Sequence, residues 1–495
     1  MRSQVKDSVP DLRVGLTFDD VLLVPKFSDV RSRKDAETRT RFSRRIQLGI
    51  PIVSANMDTV TESAMAIALA RLGGIGVIHR FLTVDEEVAE VLKVKRSEGV
   101  LIEDPITLGP DGTVREAWQI IREREVGGIV IVDRSRRVVG LLTRRDITLE
   151  DDLERKVSEV MTPRKDLITA PKGVTLEQAK EILHSHKIEK LPVIDRRGNL
   201  AGLITSKDIM KRRQFPSATK DSKGRLRVAA AVGVKGDRLE RSRRLLDAGA
   251  DALVVDIAHG HSDYATETVK AIKKTLGDVE VVAGNVATAK GASDLIRAGA
   301  DAVKVGVGSG SICVTRVVTG SGVPQLTAIM DSAAGAKGAD VPIIGDGGVR
   351  NPGDVTKALA AGASSVMIGS LFAGTEESPG PTVLRDGVRY KLTRGMASLA
   401  ATVDRRVREA RTTGPKEDEL IEEVIEESVP EGVEGLIPYK GRVEEVVKQL
   451  VGGLRSGMSY SGAHDLRELR VGAEFMRITA AGHKESLPHD IQKVV

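Results

Sequence analysis

The run ADALVVDIAHGH at residues 250–261 is followed by VEVVAGNVAT at 279–288 and by ADAVKVGVGSG at 300–310. Each run is almost continuously apolar and ends in glycine or polar residues, and a helical segment separates it from the next. VPIIGDGGV (341–349) and SSVMIGSLFAG (364–374) extend the series. Near-continuous apolar strands that alternate with helices indicate a parallel sheet covered on both faces.

The number of strands helps to distinguish two architectures, an open doubly wound sheet and a closed (β/α)8 TIM barrel. Residues 52–54, 75–78 and 228–232 also have the pattern of buried strands, so the count reaches about eight and favours the barrel. Polar residues cluster at the C-terminal ends of the strands, where the active sites of such barrels lie. We therefore predict a barrel with its functional residues on the loops that follow the strands.

The middle of the chain repeats itself. GLLTRRDI begins at Gly140 and GLITSKDI at Gly202, 62 residues later, and IVIVD at Ile129 and LPVID at Leu191 keep the same offset. A constant offset over several elements indicates tandem copies of one unit. We expect two copies, at about 98–156 and 157–213, inserted between barrel segments 1–97 and 214–495.

Composition and charge narrow the classes of function. The 495 residues include 75 Lys and Arg against 70 Asp and Glu, a net charge of +5, which is too balanced to favour a nucleic-acid or membrane partner. The N-terminal sequence MRSQVKDSVPDLRVGL has no apolar core, so we expect no signal peptide, and no run approaches the length of a membrane span. A single cysteine allows no intrachain disulfide and suits a reducing, cytoplasmic location.

That cysteine, Cys313, lies in the glycine-rich loop VGVGSGSICVTRVVTGSGVPQ at 305–325. Gly306, Gly308 and Gly310 precede it, and the absence of side chains there lets backbone groups approach a ligand closely. A free cysteine is often a small buried hydrophobic residue. In an intracellular chain an isolated cysteine is also a candidate nucleophile, and the surrounding glycines favour this second interpretation.

Two further glycine-rich turns end consecutive late strands, GDGG at 345–348 and IGS at 368–370. Their backbone N–H groups, with the hydroxyls of Ser311 and Ser370, can hold a phosphate, as the last loops of barrels often do. Asp346 can accept hydrogen bonds from ribose hydroxyls. The alternative is an ordinary pair of tight turns, in which glycine and aspartate are common anyway.

The repeated segment resembles a pair of cystathionine-β-synthase (CBS) modules. In that family two modules pack as one disc and often bind adenine or guanine nucleotides. The residues that match the G-x-x-T-x-x-D motif are Thr143, Asp146, Thr205 and Asp208. The alternative role for such residues is N-capping of the helices that follow them.

Motifs on both sides of the insertion resemble the inosine-5′-monophosphate (IMP) dehydrogenase and GMP reductase family. They are SANMDTVTE (54–62), GGIGVIHR (73–80), VDIAHGH (255–261), KVGVGSGSIC (304–313), GDGGVR (345–350), RGMASL (394–399) and PEGVEGLIPYKG (430–441). The resemblance implies oxidation of IMP to xanthosine 5′-monophosphate (XMP) by NAD+. Cys313 would attack C2 of the base, a hydride would leave for NAD+, and water would hydrolyse the covalent intermediate. Thr315 would assist proton transfer.

The resemblance also assigns binding residues. Those matched to the nucleotide substrate are Met57, Ser311, Asp346, Gly347, Gly348, Gly369, Ser370, Gly395, Met396, Ala397 and Glu431. Those matched to the nicotinamide are Asp256, Asn285, Lys304 and Gly306. Carbonyl groups matched to a monovalent cation, usually K+, belong to Gly308, Gly310 and Cys313, with Glu485, Ser486 and Leu487 of a neighbouring copy. The family further implies a homotetramer or octamer.

The chain departs from the family in its mobile flap, here about 391–438. The flap usually carries an Arg-Tyr pair whose arginine activates water, and this chain has no such pair there. The Asp-Arg dipeptide that ends at Arg405 resembles the start of the motif, and Arg406 takes the place of the tyrosine. Arg408 and Arg411 are rival candidates by spacing.

Two smaller departures are Thr393, where a phosphate-binding tyrosine is usual, and Ala397, where glycine is usual. The hydroxyl of Thr393 could substitute for the tyrosine with shorter reach. These changes leave two other functions open. GMP reductase uses the same thiol with NADPH and lacks the Arg-Tyr pair, but it usually has glutamate where this chain has Leu399. A protein that senses purine nucleotides and turns over poorly is the third possibility.

Overall fold

The computed structural model describes residues 12–98, 101–124, 126–410, 425–426 and 429–488, without the side chains of 208, 211–213, 409 and 410. The chain divides into two compact units. The first contains Met1–Lys95, Ser217–Thr219 and Arg227–Val495, and the second contains Arg96–Pro216 and Lys220–Leu226.

The first unit is built on a closed barrel of eight parallel strands. In chain order the strands are β1 (Ile52–Ser54), β2 (Ile75–Ile78), β3 (Ala229–Val232), β4 (Ala252–Asp256), β5 (Val281–Val286), β6 (Ala302–Val305), β7 (Ile343–Asp346) and β8 (Ser365–Ile368). Each strand pairs with its neighbours in sequence, and β8 closes the barrel on β1 with Met367 opposite Val53. Strands β2 and β3 pair directly although the second unit is inserted between them. The predicted (β/α)8 barrel is therefore confirmed.

Helices surround the barrel and cover its strands. The main ones are Ser63–Arg71, Val84–Ser97, Arg238–Asp247, Asp263–Leu276, Ala289–Ala298, Gln325–Gly335, Pro352–Ala360 and Val443–Tyr460. Ala289–Ala298 illustrates why they form: the hydroxyl of Thr288 accepts a hydrogen bond from the N–H of Gly291 at 3.1 Å, and Gly299 ends the helix with φ 109°. No helix among the described residues has the length and apolar character needed to cross a membrane.

The first unit also contains shorter helices and small antiparallel sheets. The helices are Thr315–Thr319, Ser370–Ala373, Leu399–Ala410, Leu466–Gly472 and Ala480–Glu485. Small antiparallel sheets pair Thr40–Arg41 with Gln47–Leu48, and Val21–Leu23 with Phe475–Arg477. A three-stranded antiparallel sheet contains Thr382–Arg385, Val388–Arg394 and Glu434–Pro438. Because its last two strands pair, this sheet brings residues near 394 and 434 together although 40 positions separate them.

The second unit contains the repeat. One sheet holds Thr107–Leu108, Gly128–Val132, Val138–Thr143 and Thr162–Pro163, and another holds Ala170–Pro171, Lys190–Ile194 and Leu200–Thr205. Its helices are Val114–Glu123, Arg144–Ile147, Val157–Val160, Leu176–Ser185 and Ser206–Gln214. Gly128 faces Thr143 in the first copy and Lys190 faces Thr205 in the second, so the strand register repeats at the sequence offset.

Within the first unit, the places where the chain leaves and rejoins the barrel meet at Asp251. Its carboxylate accepts from Lys95 Nζ at 2.8 Å and from the N–H of Val228 at 2.9 Å. Arg227 lies 3.5 Å from the same carboxylate. Asp251 immediately precedes β4, so one buried acid ties both chain segments to the base of the barrel.

Candidate active site

The thiol loop begins where β6 ends and is pressed against the end of β7. Gly306 has φ 151°, and a Cβ added there would lie 1.9 Å from the carbonyl oxygen of Asp346. The buried side-chain amide of Gln325 donates to the carbonyls of Val305 at 2.9 Å and Asp346 at 3.0 Å. Only glycine fits at 306, and Gln325 holds the two strand ends in fixed register.

Cys313 lies beside a hydroxyl that is bonded to a carboxylate. The Cys313 Sγ and Thr315 Oγ1 atoms are 3.1 Å apart, and Thr315 donates to Glu431 Oε2 at 2.8 Å. The thiol is half-buried. A hydroxyl placed between a sulfur and a carboxylate can pass a proton from one side to the other.

Backbone pairing explains why Glu431 reaches this place. The N–H of Val314 donates to the carbonyl of Glu431 at 2.9 Å, and the N–H of Val433 donates to that of Ile312 at 3.0 Å. Cys313 and Gly432 form an antiparallel bridge between these two bonds. The thiol loop and the segment 431–433 therefore form a short two-stranded ribbon, with Cys313 on one strand and Glu431 on the other.

Charged and amide side chains converge at the ends of β4 to β7. Lys304 Nζ donates to Asp256 Oδ1 at 3.2 Å, to Asp346 Oδ2 at 2.9 Å and to the Asn285 side-chain oxygen. Asn285 Nδ2 donates to the carbonyl of Gly306 at 2.8 Å and to Asp346 Oδ2 at 2.9 Å. The residues predicted to contact the nicotinamide thus form one network that also holds Asp346.

The network keeps Lys304 and Asp256 charged despite their burial. Burial lowers the pKa of Lys304, but the carboxylates of Asp346 and Asp256 raise it by more, so the pKa lies above its usual value. Burial likewise raises the pKa of Asp256, and Lys304 and Arg80 outweigh it, so that pKa lies below its usual value. Lys304 and Asp256 therefore keep opposite charges at neutral pH.

Several residues predicted to bind the nucleotide also lie together. Gly347 and Gly348 both have positive φ, and a Cβ at Gly347 would lie 2.4 Å from Ser309 Oγ. A Cβ at Gly369 would lie 3.2 Å from the sulfur of Met57. Ser370 follows as the first residue of a short helix, and Ser311 is exposed on the thiol loop. At both turns the absence of a side chain lets neighbouring groups approach the backbone closely.

The RGMAS segment joins this group. Met396 Sδ accepts from the N–H of Asp58 at 3.4 Å, and the carbonyl of Ala397 accepts from the N–H of Glu431 at 3.0 Å. A Cβ at Gly395 would lie 3.0 Å from the Cα of Gly432, so this close crossing requires glycine. Thr393 is different: it is buried and its hydroxyl contacts that of Thr59 at 3.3 Å, so that hydroxyl is engaged inside the protein.

The flap arginines lie on the helix Leu399–Ala410, which we call the arginine helix. The Arg405 guanidinium lies over the ring of Phe81, 5.6 Å from its centroid, and Arg408 donates to Glu86 at 3.2 Å. Arg406 is exposed. Arg405 and Arg408 line a cavity to which the described residues of the thiol loop contribute nothing, so the structure does not place these arginines at Cys313. Arg411 lies outside the described residues.

The remaining predicted residues fall in two places. In the thiol loop, the carbonyl of Gly310 accepts from the N–H of Cys313 at 3.2 Å, and Gly308 has φ 72°. Glu485 ends the helix Ala480–Glu485 and is exposed with its neighbours Ser486 and Leu487.

In the inserted unit, Asp146 accepts from the N–H of Thr143 at 2.6 Å and from its hydroxyl at 2.8 Å, which caps the helix that follows. Thr205 ends the equivalent strand of the second copy. The side chain of Asp208 lies outside the described part of the chain.

Sequence reasoning assigned no role to three residues that shape the site. Gln325 clamps β6 to β7. Arg394 donates to Asp58 at 2.8 Å, and Arg80 lies 3.7 Å from Asp256. The signal for Gln325 in the sequence was an amide directly after Pro324, at the start of a helix that is otherwise largely apolar.

These features define a (β/α)8 barrel with a thiol, a hydroxyl and a carboxylate in line on the loops that follow its strands. The model of the IMP dehydrogenase / GMP reductase domain matches residues 15–489, and the chain belongs to this family. It is 55% identical over 481 residues to inosine-5′-monophosphate dehydrogenase of Nitrosopumilus maritimus, covering 97% of this chain and 99% of the relative. The corresponding protein of Aquifex aeolicus is 53% identical, covering 97% and 96%.

Solved structures of GMP reductase from Trypanosoma brucei share the fold. A variant of that enzyme in complex with guanosine 5′-monophosphate has a TM-score of 0.91 and 44% identity, covering 97% of this chain and 99% of the other. The enzyme in complex with guanosine 5′-triphosphate has a TM-score of 0.80 and 40% identity, covering 95% and 99%.

Proposed function

We propose that this chain catalyses the oxidation of IMP to XMP with NAD+ as the hydride acceptor. The observation that carries the proposal is the line of Cys313, Thr315 and Glu431, with sulfur to hydroxyl at 3.1 Å and hydroxyl to carboxylate at 2.8 Å. The names of the similar curated proteins support the same reaction.

In the first step the thiolate of Cys313 forms a bond to C2 of the hypoxanthine ring. This makes C2 tetrahedral, so its hydrogen can leave with the bonding electron pair as hydride. NAD+ accepts that hydride and is reduced, while the base is oxidised and stays bound to sulfur. The proton of the resting thiol is released to solvent, so Glu431 enters the second step as a carboxylate.

In the second step water adds to C2 and the carbon–sulfur bond breaks. Thr315 takes a proton from the attacking water and gives its own to Glu431, and the sulfur leaves as thiolate, which is a good leaving group. We assign water activation to this pair because Arg405 and Arg408 are engaged with Phe81 and Glu86 instead. The earlier expectation that Arg405 or Arg406 activates water remains the alternative for this step.

The binding roles follow the network around Asp346. Asp346 would hold the ribose, and the turns at Gly347, Gly348 and Gly369, with Ser370, would hold the phosphate. Asp256, Asn285 and Lys304 would orient the nicotinamide. They fit that role because Lys304 is fixed between the carboxylates of Asp256 and Asp346 at the ends of the strands.

Other parts of the proposal rest on the family resemblance. Main-chain carbonyls of Gly308, Gly310 and Cys313 suit a monovalent cation, because carbonyl oxygens are the ligands that such ions take, and a neighbouring copy would add the segment 485–487. We further propose a homotetramer or octamer, a cytoplasmic location, and a CBS-type module that binds purine nucleotides through the segments at 143–146 and 205–208.

GMP reductase activity is the second candidate, because the solved structures of similar fold are GMP reductases. That reaction would use the same thiol to displace ammonia from GMP, with NADPH as the hydride donor. Leu399 argues against it, since an apolar residue there cannot supply the carboxylate that the reductases usually have at this position.

The test is to incubate the purified protein with IMP and NAD+ in the presence of K+ and to follow NADH. We expect NADH and XMP to form in equal amounts. Oxidation of NADPH with GMP, and no NADH from IMP, would favour the reductase. Binding of purine nucleotide without either reaction would favour the sensor and would overturn the proposal.

A further inference from the structure

The arginine helix is held on the barrel unit by a few polar contacts and by partly buried apolar side chains. Among its described side chains, Ala401 alone is fully buried. The other attachments are the ion pair of Asp404 with Arg394 at 2.6 Å, the contact of Arg405 with Phe81, and the ion pair of Arg408 with Glu86. Leu399, Val403 and Val407 are only half-buried, and a helix with such partial apolar cover opens more readily than the packed barrel.

A cavity of about 260 Å³ lies next to this helix. Its lining combines helix residues, including Asp404 and Arg405, with Asp58 and Phe81 from the barrel loops and Leu392 from the antiparallel sheet. Where a cavity replaces packed side chains, dispersion contacts are lost. The ion pairs therefore carry a large share of what keeps the helix docked.

Arg394 makes two ion pairs of different character. Its Nε and Nη2 lie 2.8 and 2.7 Å from Asp58 Oδ2, and the Asp58 side chain is 8% exposed. Its Nη1 lies 2.6 Å from Asp404 Oδ2, and the Asp404 side chain is 52% exposed. Breaking the buried pair would leave an unpaired buried charge, whereas breaking the exposed pair exchanges it for water at little cost.

Both sides of the site are connected to this helix. Asp58 follows Met57, and its N–H donates to Met396, so Arg394 is tied to two residues assigned to the substrate. On the other side, Arg405 lies over Phe81, whose ring also contacts Arg80 at 5.2 Å. Arg80 lies 3.7 Å from Asp256 on the side assigned to the cofactor.

We propose that Arg394 is a positioning residue that remains bound to Asp58 and docks or releases the arginine helix through its exposed ion pair with Asp404. The inference rests on the proposed function, in which one site must first admit a dinucleotide and then hydrolyse the covalent intermediate. Such a sequence requires an element that moves between the steps. Docking through Asp404 serves the second step, and hydride transfer does not depend on it.

The test compares the parent with Asp404→Asn in stopped-flow and steady-state assays with IMP and NAD+. We expect the rate of the first NADH burst to be unchanged and steady-state turnover to fall roughly two- to fivefold, the range for loss of an exposed ion pair. Rising salt should lower turnover of the parent by screening the pair and should have little effect on the variant. Asp404→Glu should restore turnover and salt response.

Asp386→Asn is the matched control, because Asp386 forms an exposed ion pair with Arg385 at 3.8 Å on the sheet hairpin. It should behave like the parent in every assay. Hydrogen exchange of the amides in 399–408 gives a readout independent of activity, and Asp404→Asn should speed it by a similar two- to fivefold factor. Unchanged exchange and turnover, or an equal fall in burst and turnover, would overturn the inference. A parent without any burst, but with exchange that responds to Asp404→Asn, would instead count against the proposed function.

Discussion

A threonine hydroxyl donates to a carboxylate at 2.8 Å in each unit of this protein, Thr315 to Glu431 in the barrel unit and Thr143 to Asp146 in the inserted unit. The partners are 116 positions apart in the first pair and three apart in the second. The local pair closes the first turn of a helix. The long-range pair has Cys313 Sγ at 3.1 Å as a third member. The same two chemical groups, a hydroxyl and a carboxylate, thus cap a helix in one unit and lie beside a thiol in the other.

The largest effect is expected when Cys313 is removed from the group that it forms with Thr315 and Glu431. Cys313→Ala should abolish the NADH burst, a loss of at least about a thousandfold, because no other described group can make C2 tetrahedral. IMP should still bind, since the phosphate and ribose groups remain. Stopped-flow absorbance and calorimetric titration with IMP measure the two properties. A burst retained in this variant would contradict the assignment of the nucleophile.

Glu431→Gln tests whether the long-range pair is chemical. The amide keeps the hydrogen bond to Thr315 but cannot take its proton, so we expect the hydrolytic step to slow by about a hundredfold. The NADH burst should persist, and the enzyme should accumulate as the covalent adduct, which mass spectrometry of the quenched protein detects. Combining the change with Thr315→Val should add little further loss. A turnover equal to that of the parent would return water activation to the arginine helix.

Lys304→Met tests whether the network of Asp256, Asn285 and Asp346 depends on the positive charge of Lys304. Asp256 and Asp346 would lose their shared partner, and we expect the free energy of unfolding at pH 7 to fall by about 3 kcal/mol. In the parent, Lys304 and Arg80 hold the pKa of Asp256 below its usual value, so that contribution is present at neutral pH and is lost only as the pH falls through the lowered pKa. In the variant, the pKa of Asp256 rises, and acidification from pH 7 to pH 5 should recover part of the loss.

Urea unfolding at both pH values measures this effect. Lys337→Met is the control, because Lys337 is exposed on the surface of the same unit. It should change stability little and should show no dependence on pH between 5 and 7. Equal behaviour of the two variants would mean that the network is held by its hydrogen bonds and that its charge contributes little.

The smallest effect belongs to the local pair. Asp146→Ala removes an acceptor at the start of the helix Arg144–Ile147 and should lower the stability of the inserted unit by about 1 kcal/mol. The NADH burst, measured without added adenine or guanine nucleotide, should stay at the parent value. Thermal unfolding and the burst assay check the two expectations. A changed burst would show that this pair, too, is connected to the chemistry.

Much of the fold could be predicted because its signals are local. Each barrel strand is an apolar run bounded by glycine or polar residues, and the structure places β4 and β7 inside the runs that begin at Ala250 and Val341. The inserted repeat was visible because two copies can be compared with each other. The pairing of β2 with β3 across the insertion follows once a closed barrel is assumed.

The site was harder, because its decisive contact depends on a bridge between distant segments. Cys313 and Thr315 are two positions apart and could be associated from the sequence, whereas Glu431 reaches them only through the antiparallel bridge of Cys313 with Gly432. No periodicity in the sequence marks a bridge of that kind.

The flap arginines were hard to assign for a different reason. Arg405 and Arg408 are three residues apart on one helix, so their side chains lie on the same face and both face the barrel. A match to a dipeptide motif does not show which face of a helix its residues occupy.

The contacts of Asp251 have a consequence for the evolution of barrels that carry an inserted module. Lys95 Nζ and the N–H of Val228 bond the same carboxylate oxygen at 2.8 and 2.9 Å, so the chain segments on either side of the insertion are held together within the barrel itself. A short link between them would close the same gap, and the entropy of such a link changes slowly with its length. A gene for this barrel can therefore gain, lose or exchange its inserted module in one event without rebuilding a strand.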